Sequence, residues 1–78
     1  MPTVLRHGPY AFVFFSSDGH EPTHIHVKRD RAIAKYWLEP VSLAKNRGFK
    51  DQELKRIAKL VQQYQQQLVE AWHEYFGA

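Results

Sequence analysis

Between residues 50 and 76 apolar side chains return at three- and four-residue steps, at Leu54, Ile57, Ala58, Val61, Tyr64, Leu68, Trp72 and Tyr75. That period puts them on one side of a helix and leaves a glutamine-rich opposite side at Gln62, Gln63, Gln65, Gln66 and Gln67. A helix with such a stripe must lay it on a second layer, and only the part of the chain before residue 49 can provide one. Phe49 and Leu54 have the spacing of a hydrophobic staple, with Lys50 or Asp51 as the cap, and Gly77 is a natural stop. A single helix over 50–76 is on the order of 38 Å long. A small sheet does not span that length, so the end of the helix is expected to project or to be covered by another chain.

The first 48 residues read as mainly β. Residues 10–17 (YAFVFFSS) are aromatic and apolar on both parities, as in a strand covered on both sides, and Ser17, Asp18 and Gly19 turn the chain. Residues 24–29 alternate: Ile25 and Val27 point one way, His24, His26 and Lys28 the other. A second strand-like run covers 32–38 (AIAKYWL). If Asp30 and Arg31 form a two-residue turn, Arg29 opposes Ala32, Val27 opposes Ala34 and Ile25 opposes Tyr36 on the buried side. The other side then pairs His24 with Trp37, His26 with Lys35 and Lys28 with Ile33. Pro40 ends that strand or confines it to an edge, 41–44 adds a short further strand, and 46–48 make a loop. The expected fold is α+β: a small antiparallel sheet of about four short strands with one long C-terminal helix packed on it, all in one domain spanning 1–78.

A chain of 78 residues buries only roughly 60% of the surface it exposes when unfolded, so a partner protein or a second copy of the chain is expected. With no cysteine, disulfides, thiolate metal sites and cysteine nucleophiles are excluded, which fits a cytoplasmic setting. No apolar run approaches the roughly 18 residues of a membrane span, and no signal-peptide pattern opens the sequence. The net charge is +3, and it is concentrated. From residue 28 to 50, Lys28, Arg29, Arg31, Lys35, Lys45, Arg47 and Lys50 stand against Asp30 and Glu39 alone, a distribution that attracts nucleic acid or an acidic partner.

Three histidines in seven positions, in HEPTHIHVKR, are the densest chemistry in the chain. Three readings of them remain open. As catalysts, His24 and His26, with an unperturbed pKa of about 6.5, supply a general base and a general acid, the minimal kit for metal-free RNA cleavage. Lys28, Lys35 and Arg47 would then hold phosphate and Trp37 would stack on a base. As a binding surface, the same basic residues hold nucleic acid or an acidic protein without chemistry. As metal ligands, two histidines at i and i+2 on one strand face can both reach one ion, with His20 and either His7 or an acid to complete a tetrahedral site, but Glu21 reads as loop and Lys28 and Lys35 on the same face repel a cation; no metal and no cofactor is expected. His73, near the helix C-terminus, suits the negative end of the helix dipole, and nothing marks out His7.

The chain resembles a small bacterial family known as domain of unknown function 4160. The resemblance is carried by the opening Met-Pro-Thr, the aromatic second strand, Pro22, Thr23, His24, Ile25, His26 and Val27, the hairpin that follows, and a long C-terminal helix with Trp72 near its end. It implies a toxin-like component of a two-gene system similar to toxin–antitoxin operons, with a small antitoxin-like partner; action on RNA or the translation machinery is the expectation from the basic His24/His26 face.

Overall fold

The computed structural model describes residues 3–77. Five strands form one antiparallel meander in sequence order: β1 (Thr3–His7), β2 (Tyr10–Val13), β3 (His24–Arg29), β4 (Ala32–Leu38) and β5 (Val41–Arg47). A 3₁₀ turn at Ser16–His20 joins β2 to β3, and two helices follow the sheet, α1 (Asp51–Gln63) and α2 (Gln65–Phe76). The fold is α+β as expected, but with five strands and two helices instead of about four and one.

The β3–β4 hairpin has the expected register, with Ile25 opposite Tyr36, His26 opposite Lys35 and Lys28 opposite Ile33. Asp30 occupies the left-handed region, at φ 54°. Its short polar side chain tolerates that conformation, so aspartate does here what glycine does in most two-residue turns.

Three boundaries differ from expectation. β2 stops at Val13, although the apolar run continues, because Phe14 and Phe15 leave the ladder to pack on Trp72 and His26, at ring separations of 5.4 and 4.3 Å. β5 continues through Arg47, where a loop was expected; Asn46 pairs with Ala34, and its side chain exchanges hydrogen bonds with the backbone of Phe49. The helix breaks at Tyr64 (φ −102°, ψ 11°), although hydrogen bonds from Tyr64 to Leu60 and from Leu68 to Tyr64 carry the ladder across. Tyr64 is held from the sheet side: its hydroxyl pairs with His7 Nδ1 at 2.9 Å and its ring lies edge-on to Phe12. One residue beyond, the Gln65 amide donates to the Leu38 carbonyl. Beyond the break α2 continues the apolar stripe with Leu68 and Trp72 buried.

Consequently α2 does not leave its end uncovered. Trp72 is 4% exposed, Phe76 is half-buried with its ring against Gly19, and Phe14 stacks on Tyr75. α1 begins at Asp51 after Lys50, with Phe49 buried and Leu54 half-buried around that start, and Gly77 ends α2 in the left-handed conformation (φ 72°).

A single hydrophobic cluster joins Phe12, Ile25, Val27, Ala34, Tyr36 and Leu38 of the sheet to Ile57, Val61, Leu68 and Trp72 of the helices. Both helices therefore cover one face of the sheet. The Tyr36 hydroxyl reaches the Leu54 carbonyl at 2.9 Å, and burial pushes its phenol up to about 12. Arg29 grips Glu53 through two hydrogen bonds, at 2.6 and 2.8 Å, and Tyr10 donates to the same carboxylate at 2.7 Å, tying β2 and β3 to α1.

Candidate nucleic-acid interface

The strand register assigns every second residue to the face the helices leave open, except where it shifts in β1 and β5. One row across that outer face runs Arg6, Ala11, Lys28, Ile33, Arg47; the next runs Thr3, Val13, His26, Lys35, Lys45; a third holds His24, Trp37 and Ser42. With neighbouring strands about 4.8 Å apart, the backbone of Lys28 lies about 10 Å from those of Arg6 and Arg47, which are about 19 Å from each other. Arg6, Lys45 and Arg47 are exposed and Lys28 is half-buried, and among the described residues none of the four is in an ion pair.

Two shallow depressions mark this face. One of about 450 Å³ is lined by His26, Ile33, Lys35, Lys45 and Arg47 together with neighbouring backbone. The other, of about 260 Å³, includes Arg6, Ala11, Val13, Lys28 and Asp30. Both are open to solvent and predominantly cationic, which suits a chain of phosphates better than an enclosed small molecule.

Of the residues expected to hold nucleic acid, Lys28, Lys35, Trp37 and Arg47 all lie on this face. Lys35 is already engaged: its ammonium pairs with Glu21 and sits 4.6 Å from the centre of the Trp37 ring. The Lys35 hydrogen bond in turn holds the Glu21 carboxyl below the usual carboxylate range. One side of Trp37 is thus occupied by a cation. Arg29, counted in the basic stretch of the sequence, is tied to Glu53 and belongs to the scaffold.

His24 and His26 share the outer face, but they do not emerge together into water. His24 is completely buried. Because β2 ends at Val13, no β2 residue pairs with Ile25 or His24. Trp72 packs at that place, its ring 5.0 Å from the His24 ring, while Trp37 stands edge-on at 5.6 Å. His24 Nδ1 is 2.8 Å from the Pro22 carbonyl and therefore carries the proton it donates there. The imidazole is wedged under the last turns of α2, which is where a structural histidine is placed. His26 is half-buried, with Phe15 lying across its ring at 4.3 Å and both ring nitrogens shielded from solvent. His20 lies in the 3₁₀ turn and is exposed. Among the described residues no three or more His, Asp or Glu side chains converge in a way that would hold a metal ion.

Two cations of this face were not placed on it from the sequence: Arg6, and Lys45, which was counted only in the basic stretch. Lys45 lies beyond residue 44, where the last strand was expected to end, and it reaches the His26 side only through the register shift opposite Lys35 and Tyr36, which interrupts the alternation along β5. For Arg6 there was no signal, since its position depends on how β1 pairs with β2, where the register shifts between Thr3 and Leu5. Among the described residues, no helix is long and apolar enough to cross a membrane.

No curated protein and no solved structure gives a significant match to the chain. A family model does, over residues 10–73, from the aromatic second strand to the last turn but one of α2. The chain therefore belongs to the family described as domain of unknown function (DUF4160).

Proposed function

We propose that the chain is a single-stranded RNA-binding module that uses the outer face of its sheet, and that His24 serves the architecture of that face instead of chemistry on it. The observation that carries this reading is the set of four unpaired cations, Arg6, Lys28, Lys45 and Arg47, on the sheet face that neither helix covers. Sheet faces with basic and aromatic side chains suit single strands, whose phosphates follow the cations and whose bases stack on rings.

Catalysis is the rival on the same face. General acid–base work needs a proton-transfer group that substrate can reach, and the complete burial of His24 speaks against the pair acting together. The experiment that separates the two follows an end-labelled single-stranded RNA with the purified chain. Retarded but intact RNA, with affinity lost in Arg47→Gln and Lys45→Gln, is the expected result. RNA cleavage that disappears in His26→Ala would replace binding with catalysis. The biological setting we attach to this activity, a toxin-like member of a two-gene pair with a small antitoxin-like partner, is supported by the family resemblance. Growth arrest on overproduction, relieved by the neighbouring gene product, is its test.

A further inference from the structure

Next to the cationic depressions the outer face has a third, of about 410 Å³, lined by Pro22, Thr23, Trp37, Glu39, Pro40 and Ser42. It differs from the others in chemistry: Trp37, Pro22 and Pro40 are apolar lining residues, Thr23, Ser42 and Glu39 are the polar ones, and no lysine or arginine is among them. Lys35, which lies against the Trp37 ring, lines the 450 Å³ depression and not this one. Trp37 thus stands between a phosphate-attracting region and a pocket without cations.

The geometry points to a guanine subsite in this pocket, with Trp37 as the stacking surface and Glu39 as the residue that reads the base. This inference rests on the RNA-binding reading and adds base specificity to it. A carboxylate only accepts hydrogen bonds, so it selects a base edge with adjacent donors. The Watson–Crick edge of guanine offers N1–H and N2–H₂ side by side. Adenine and cytosine each set one amino group beside an acceptor nitrogen, and uracil sets N3–H between two carbonyls, so each brings an acceptor against the carboxylate. The hydroxyls of Thr23 and Ser42 either donate or accept and do not discriminate. Along β4, two residues from Trp37 to Lys35 span about 7 Å, so a base in the pocket leaves its sugar-phosphate directed toward Lys45 and Arg47, which lie in the two rows beyond. Glu39 also explains why an acid stands beside a surface that otherwise attracts anions: it lowers affinity for nucleic acid in general and restores it for one base.

The test compares the pentanucleotides UUGUU, UUAUU, UUCUU and UUUUU on the full chain and on Glu39→Gln by fluorescence anisotropy. Glu39 is exposed in the turn between β4 and β5, so the amide variant keeps the fold. The expected result is that UUGUU binds about tenfold tighter than the other three, the scale of one bidentate base contact. In Glu39→Gln the preference drops below about threefold while UUUUU binds as well as before or better. Trp37→Ala weakens all four. Equal binding of the four RNAs by the unmodified chain, or a guanine preference that survives in Glu39→Gln, overturns the subsite and leaves the RNA-binding face standing. Failure of any pentanucleotide to bind at low salt overturns the RNA-binding reading and the subsite with it.

Discussion

Replacing His24 by alanine distinguishes a structural imidazole from a reactive one. The ring is fully buried among Trp37, His26 and Trp72, and its Nδ1 hydrogen-bonds to the Pro22 carbonyl at 2.8 Å. Truncating a fully buried side chain of this size costs about 2–5 kcal/mol through lost contacts and the cavity left behind. The lost hydrogen bond adds about 1 kcal/mol, partly offset because a polar group no longer has to be buried. About 3 kcal/mol is the resulting estimate. Against a total stability of roughly 0.05–0.15 kcal/mol per residue, that is a quarter or more of what holds a domain of this size together. At about 4–8 °C per kcal/mol the melting temperature falls by about 12–24 °C. Thermal unfolding followed by circular dichroism measures it. At a temperature where the variant is still folded, its RNA affinity stays within about twofold of the parent. An unchanged melting temperature would refute the reasoning, because a solvent-facing histidine changes stability by no more than about 0.5 kcal/mol on substitution.

Three further outcomes follow from the scaffold. Burial holds the Tyr36 phenol at about 12 against an ordinary value of 10, so the unfolded chain ionises first as pH rises. Stability contributed by the neutral phenol is complete below about pH 10 and declines between about 10 and 12, by up to about 3 kcal/mol, and Tyr36→Phe flattens that decline in urea titrations at increasing pH. The Arg29 and Tyr10 hydrogen bonds hold the Glu53 carboxyl below its ordinary 4.5, so the stability it contributes is present above that value and disappears as pH falls through the lowered one. Glu53→Gln removes this acid limb, seen as a smaller loss of melting temperature between neutral and acid pH. Tyr64→Phe keeps the ring against Phe12 but loses the His7 bond, and lowers stability by about 1 kcal/mol, or about 4–8 °C.

The β3–β4 hairpin was legible in the sequence because its two strands alternate cleanly and its turn has the minimum length, so one choice of turn fixes six residue pairs. Which side of that hairpin carries the histidines and lysines was legible for the same reason. Burial of His24 was not: alternation assigns a face, but whether the face is wet at a given residue depends on where β2 stops and on Trp72, 48 positions away, packing where it stops. The helix break was hidden likewise. The apolar period runs through Tyr64 without a proline or glycine, and the break falls at the residue that contacts His7 and Phe12 far back in the chain. Lys35 shows the same limit for charge. Its sign was readable, but its engagement with Glu21 and Trp37 arises only when the turn before β3 folds over β4.

The salt dependence of single-stranded RNA affinity bears most directly on the outer face as a binding surface. Each phosphate neutralised on a single strand contributes about −0.7 to the slope of log K against log salt, so four contacts from Arg6, Lys28, Lys45 and Arg47 predict a slope of about −2.8. Replacing Lys28, Lys45 and Arg47 together by glutamine predicts about −0.7, with the melting temperature nearly unchanged. A slope that stays near −2.8 in the triple variant would place the RNA elsewhere on the molecule and contradict the account.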